Sequence, residues 1–325
     1  MSAAAPMQPE KGRNLIGIII AVIAIVLLVI AYVTVLTGYS REGEDRSMYV
    51  SDKANAGADN IEVTVRVINV DPVKGDITAR MNFEANGTLA KDEFSPAQDI
   101  TILVNSATGK QEHKFEKGKR MNPVEVTVPM EGQASDYPFD KHDAELWLLV
   151  TTPVKEEAQQ PKEATEKEPA EEGSGAPKPP AQASVFDNNE PVPIAVEFFG
   201  SIPGLKLEAV RDKDTDVGIT GVQMKISRSS TVVFFSVFLM ILMLFLASAV
   251  VFMMLRFALG NRKVELAAMS FYGAMLFAFP ALRNSQPGVP PLGAYSDYVS
   301  FFWAEMLVAI SLLTIATLWV VRRPS

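Results

Sequence analysis

Thr231-Val-Val-Phe-Phe-Ser-Val-Phe-Leu-Met-Ile-Leu-Met-Leu-Phe-Leu-Ala-Ser-Ala-Val-Val-Phe-Met-Met-Leu255 is an unbroken apolar run. A helix needs about 20 such residues to cross the hydrocarbon core of a bilayer. Two further runs follow, near 264–282 and 298–321, and a fourth, 15–37, precedes the rest of the chain. In hydrocarbon the backbone must satisfy its own hydrogen bonds, so each run is expected to be a helix. The 15–37 run is longer than the apolar core of a cleaved signal peptide and carries Tyr32, with Tyr39 just beyond it. It reads as a retained signal anchor after a polar 1–14 segment.

The basic residues orient these spans. Lys11 and Arg13 precede the first, Arg256, Arg262 and Lys263 lie between the second and third, and Arg322 and Arg323 end the chain. An N-terminus in the cytoplasm puts all of them inside with four spans, which places the C-terminus inside too and residues 38–228 outside. The expected location is therefore the plasma membrane. Net charge is −8 and cysteine is absent. An acidic chain without a basic stripe argues against nucleic acid, and the lack of thiols excludes disulfides, thiolate metal sites and cysteine nucleophiles.

Residues 38–228 alternate apolar and polar in short runs, as half-buried strands do. Ile61, Val63, Val65 and Val67 fall on one face. Further strands are expected near 76–84, 100–105, 112–115, 124–130, 144–151, 192–199, 205–211 and 218–227, with turns at Asp71-Pro72, Lys74-Gly75, Asn86-Gly87, Thr108-Gly109 and Lys117-Gly118. Pro, Glu, Lys and Ala dominate 153–184, a composition too poor in apolar surface to order itself, and we expect a disordered insertion there. The fold class expected is α+β: an extracytoplasmic all-β sandwich on a base of four transmembrane helices, the last three within 229–325.

Chemistry is sparse. His113 and His142 share no metal-ligand spacing and are read as surface residues. The run Asp212-Lys-Asp214-Thr-Asp216-Val-Gly218 places its glycine one position late for a calcium loop and is read as a polar hairpin. Asn86-Gly87-Thr88 is read as a turn rather than a glycosylation acceptor. No metal, cofactor or catalytic residue is expected. Glu305, in the last span, is a functional candidate by its depth alone, and a structural partner for it is Arg283 at the same outer end. Glu265 is placed to favour a helix N-terminus. Between Arg283 and Asp297, Pro287, Pro290 and Pro291 fix the backbone while Gly288 and Gly293 permit tight turns, and Ser296 or Asp297 can cap the next helix.

The loop Arg283-Asn-Ser-Gln-Pro-Gly-Val-Pro-Pro-Leu-Gly293, the stretch from Asp297 to Trp303 and the motif Tyr137-Pro138-Phe139-Asp140 together resemble the domain-of-unknown-function family 4436, membrane proteins of actinobacteria. That resemblance implies a cell-envelope location and no defined activity. A weaker likeness is to pentameric ligand-gated ion channels, whose outer sandwich carries a similar Pro-Phe-Asp turn and whose first pore-domain helix follows an arginine, here Arg228. The channel likeness implies that Asp140 approaches Arg228 and that Phe139 inserts among the helix ends. The chain departs from that pattern in its extra N-terminal span, the absence of a fourth helix after the third, the 153–184 insertion and the largely apolar 264–282 run. The function expected is non-enzymatic: the outer domain binds or scaffolds a partner. The alternative is a channel-like or transporter-accessory protein. Expected partners are the lipid bilayer, an envelope protein and further copies of the chain.

Overall fold

A computed structural model describes residues 48–51, 57–92, 94–109, 111–153, 189–212, 218–260 and 264–322, with helical positions scattered between 19 and 38. The chain divides into two compact units: 47–134 with 141–227, and 135–140 with 228–325 and the N-terminal 1–46. The fold is α+β, as expected. Most of the 15–37 anchor, nearly all of the 153–184 insertion and the middle of the 212–218 hairpin lie outside the described residues.

The first unit is a β-sandwich-like mixed sheet. Its strands are β1 (Met48–Ser51), β2 (Ile61–Asp71), β3 (Asp76–Ala85), β4 (Ala90–Asp92), β5 (Ser95–Pro96), β6 (Ile100–Val104), β7 (Glu112–Phe115), β8 (Val124–Gly132), β9 (Lys141–Pro153), β10 (Asn189–Pro191), β11 (Ile194–Gly200), β12 (Leu205–Arg211) and β13 (Ile219–Arg228, whose last residue falls in the other unit). The main path runs β1-β11-β2-β3-β8-β9-β13-β12, with β6, β7 and β10 joined through β9. β11 and β2 pair in parallel, while β1 with β11 and the run from β2 through β3, β8 and β9 to β13 pair antiparallel. β8 turns the corner between the two layers. Its residues 124–129 pair with β3, and Met130–Gly132 pair with β9. Strands that change sheet in this way make the corners of packed sheets.

Period-two alternation sorts the core as the sequence predicts. Ile61, Val63, Val65 and Val67 are buried. A bulge between Val67 and Asn69 then shifts the pattern by one, so that Val70 rather than Asn69 turns inward, opposite Ile77. Such a bulge adds one unpaired residue to a strand. The same alternation corrects the reading of His142 as a surface residue. It lies in the inward row of β9 with Ala144, Leu146, Leu148 and Val150, and is buried against Gly132, where a Cβ would come within 2.3 Å of its Nδ1. His113 is half-buried opposite Ile102. Asn86-Gly87 is a turn, with Gly87 at φ 64° and the Asn86 side chain donating to Asn60 Oδ1.

In the other unit, among the described residues, three helices are long and apolar enough to cross a membrane: α1 (Ser230–Leu259), α2 (Leu266–Asn284), and α3 (Phe302–Val321) with the π-helical turn Asp297–Phe301 before it. At 1.5 Å per residue, α1 extends about 45 Å. Met243, Ala247, Val250, Tyr272, Phe279, Ala304, Val308 and Ile315 form the buried seam. The outward faces are apolar as well: Phe245, Phe277, Leu313 and Leu259 are largely exposed. A helix that is apolar all round belongs in lipid or a large core, and this composition points to membrane association. Hydroxyls in the spans bond back to their own helix, Ser248 to Leu244 O and Thr314 to Ile310 O, while Tyr272 donates to Val250 O across to α1. At the far end of α1 the Arg322 guanidinium donates to the carbonyls of Phe257, Ala258 and Gly260. A cation there satisfies carbonyls that have no helical partner. Glu265 stands at the N-cap position of α2 but makes no capping hydrogen bond with its side chain.

Candidate functional site

The six residues 135–140 connect β8 to β9 in the chain, yet they pack with the helices. A short 3-10 turn, Ala134–Asp136, leads in, Phe139 N–H donates to Asp136 O, and the Tyr137–Pro138 peptide bond is cis. Asp140 is 1% exposed and the Arg228 side chain 8%. Arg228 Nε lies 3.0 Å from both carboxylate oxygens, and Nη2 lies 3.0 Å from Oδ2. The expected Asp140–Arg228 approach is thus present as a buried, fork-shaped pair. Such pairs add direction to charge.

Tyr137 completes this cluster. It is fully buried with Val232 and Ala294, and the Arg228 guanidinium sits 5.0 Å above its ring. Its hydroxyl donates to Pro287 O at 2.7 Å and lies 2.6 Å from Ser236 Oγ. A phenol has one proton. With that proton on the Pro287 carbonyl, Ser236 is the donor to the phenol oxygen. Burial pushes the Tyr137 hydroxyl above its ordinary pKa, against the lowering effects of the Ser236 hydrogen bond and the nearby Arg228 charge. Gly288 has φ 74°, and a Cβ there would meet Arg228 Nη1 at 2.8 Å. Next to it, Val289 has φ 32°, a conformation that branched residues rarely adopt.

The buried ring of the motif is therefore Tyr137, not Phe139. Phe139 is 52% exposed and meets only the rim of the helical unit, edge-on to Tyr295 at 6.1 Å. The cause is polarity. The tyrosine hydroxyl finds a carbonyl and a serine in the interior, and the neighbouring phenylalanine has no such anchor.

A second buried pair locks the α2–α3 connector. Arg283 Nε and Nη2 donate to Asp297 Oδ1 and Oδ2, each at 2.9 Å. Arg283 also donates to Pro291 O and to Asn284 Oδ1, and Asp297 Oδ2 accepts from Gly293 N–H. Pro287 and Pro291 thus contribute carbonyls, while Pro290 is buried within the loop. This corrects two expectations. Arg283 pairs with Asp297 rather than Glu305, since Asp297 stands at the start of the helical turn and fills the guanidinium fork. Eight residues further along, Glu305 is about 12 Å away by helix rise, and its buried Oε2 has no hydrogen-bond partner among the described residues. Nor do Ser296 and Asp297 cap the helix: Ser296 Oγ donates to Gln286 Oε1. The Nε2 of Gln286 is buried without an acceptor among the described residues.

Ser236 and Gln286 were not among the residues singled out from sequence. Each is a polar residue in a buried setting, and the partner of Ser236 lies 99 positions away, a distance that no local pattern encodes. Among the described residues no group of three or more His, Cys, Asp or Glu side chains could hold a metal ion. The geometry suits positioning: it ties the 135–140 turn, the start of α1 and the 286–293 loop into one hydrogen-bonded knot.

Two family models meet between residues 226 and 228. A family model described as domain of unknown function DUF8686 matches residues 228–322, and no curated protein matches the chain. The model of the domain of unknown function DUF4436 matches residues 51–226, more than half of the sequence, and ends within β13, two residues before Arg228. The Tyr137–Asp140 motif lies within that range. The chain belongs to the DUF4436 family.

Proposed function

We propose that this is a four-span plasma-membrane protein of the cell envelope, with both termini cytoplasmic, whose extracytoplasmic β-sandwich binds or scaffolds a partner and does so without catalysis. The Asp140–Arg228–Tyr137 cluster carries this reading. The turn that holds Tyr137 and Asp140 is covalently the link between β8 and β9, and its side chains are anchored on residues of the helical unit. A force or ligand-induced shift along β8 or β9 would reach the helix starts through that anchor. The apolar outward faces of α1–α3 support the membrane part, and the Lys/Arg distribution supports the orientation. Affinity purification of the tagged full chain from cross-linked membranes tests it. A stoichiometric envelope protein, lost when the β-sandwich is removed, is the expected result. Recovery of the bare chain alone would overturn the binding role.

The pairing of Asp140 with Arg228 also favours a second reading, a channel-like protein, because it is the pairing that the likeness to pentameric ligand-gated channels implies. Against it, α2 offers only Ser270 and Tyr272 as polar residues over most of its length, and Tyr272 is buried. Ion flux in reconstituted vesicles separates the two readings.

A further inference from the structure

The outward row of β9 changes character midway. Lys141, Asp143 and Glu145 are polar and exposed, then Trp147 and Leu149 are apolar and half-buried. A solvent-facing strand row is normally polar throughout, and an apolar stretch in it calls for something to cover it. Leu149 pairs with Leu103 of β6 on one side and Ile219 of β13 on the other, giving an apolar row across three strands. Beside it the Trp147 indole rests on Gly221, where any Cβ would come within 2.8 Å of the ring. A glycine here serves close approach, at the cost of strand propensity. Leu103, Trp147, Leu149 and Ile219 line a cleft of about 480 Å³, together with Glu145 and Gln111. That volume suits a small molecule.

The polar side chains at the cleft are Asn105, Gln111 and Glu145. The Asn105 carboxamide donates to Glu145 O at 2.6 Å and accepts from Trp147 N–H at 2.8 Å, so it continues the β6–β9 ladder beyond Val104 and fixes the floor. Gln111 Nε2 donates to Ser106 O, which leaves its carbonyl oxygen as an acceptor. Among the described residues, Glu145 is the one ionisable residue in the lining. Its Oε2 accepts from Trp147 Nε1 at 3.3 Å, which orients the carboxylate and leaves most of its lone-pair capacity open. An apolar floor, an indole wall and unfilled acceptors around one negative charge call for a ligand with an aliphatic body and a cationic donor head.

We propose that the cleft between β6, β9 and β13 is a binding site for a small alkylammonium compound, its ammonium group held by Glu145 and Gln111 and its chain lying against Trp147, Leu149, Leu103 and Ile219. This deepens the reading of the β-sandwich as the binding part of the protein. It fails separately from that reading, since partner capture is measured without any amine.

The test uses the full chain in nanodiscs of zwitterionic lipid, with empty nanodiscs as background. Hexylammonium, hexanol and hexanoate are titrated by calorimetry and by tryptophan fluorescence. Saturable binding of hexylammonium, weaker binding of hexanol and none of hexanoate are expected. Glu145→Gln should weaken the hexylammonium complex by about three- to five-fold, the upper scale of an exposed ion pair, and erase its preference over hexanol. Gly221→Ala should weaken both ligands by displacing the indole, and Trp147→Phe should remove the fluorescence response while leaving the calorimetric one reduced. Absence of saturable binding, equal binding of hexanol and hexylammonium, or wild-type affinity in Glu145→Gln would each overturn the site.

Discussion

At the residue scale the Asp140–Arg228 pair and the Tyr137 hydroxyl set the energetics of the knot. Both charges are shielded, so removing one leaves the other without adequate solvation. Asp140→Asn or Arg228→Ala should destabilise the protein by about 3–5 kcal/mol, whereas the double replacement Asp140→Leu/Arg228→Met should fall closer to wild type. Thermal unfolding in detergent checks this, and two additive losses would show that the charges act independently. Tyr137→Phe leaves the Pro287 carbonyl and Ser236 hydroxyl without their partner, a loss of about 1–3 kcal/mol. Phe139→Ala, at an exposed ring, should stay within about 0.5 kcal/mol. A pH dependence follows for Tyr137, which lies outside the apolar helices. Its folded pKa is raised by burial, so its contribution is fully present below the unfolded value near 10 and is lost as pH rises through the higher folded value. The alkaline fall in melting temperature should therefore be shallower in Tyr137→Phe than in wild type. Equal slopes would mean that the phenol ionises without cost.

At the element scale the α2–α3 connector behaves as one rigid piece because its charges are consumed internally. Arg283 has both forks of its guanidinium on Asp297 and a loop carbonyl besides. Asp297→Asn is expected to cost about 3–5 kcal/mol. Glu305→Gln should change stability little, since the buried Oε2 has no partner to lose. A reversed order in the same melting assay would restore Glu305 as the structural partner. Gly288→Ala should destabilise by more than about 1 kcal/mol, because a side chain there is strained at positive φ and meets the Arg228 guanidinium. In the sheet, most strands that could be read from sequence are long enough to show alternation, and the four-residue β7 is marked instead by the turns that flank it. β2, β3, β9 and β13 lie close to their expected ranges, while β1, β4, β5 and β10 run only two to four residues and carry no period of their own. The bulge at Ile68 is a product of pairing, which alternation alone does not register, whereas His142 follows the alternation of β9 once that strand starts at Lys141.

At the scale of the whole molecule, the proposed orientation is tested by single cysteines, since the chain has none of its own. Cysteines at Ser51 and Ser174 should react with an impermeant thiol reagent in intact cells, and one at Asn261 should react only after permeabilisation. Labelling at Asn261 from outside would reverse the topology. The unit boundaries bear on how such variants are designed. The first family model ends at 226 and the second begins at 228, yet the 135–140 turn belongs with the helices. A truncation that keeps only 228–325 removes Asp140 and Tyr137 from the helical unit and leaves Arg228 unpaired.

The sequence by itself determined the class of the protein. Apolar run length fixes which segments can be membrane helices, and period-two alternation fixes the strands, because both depend on residues near one another in the chain. It also contained Tyr137-Pro-Phe-Asp140 and Arg228 as a pair worth testing. Only the tertiary structure decided that Tyr137 rather than Phe139 is the buried ring, that Arg283 belongs to Asp297 rather than Glu305, and that Trp147 lies over Gly221 to wall a cleft. The indole contact rests on the space that a missing Cβ leaves at Gly221, and the other two share one physical reason. Charged and hydrogen-bonding side chains take the partner whose geometry fills their lone pairs and protons best, and that partner is set by how distant segments pack.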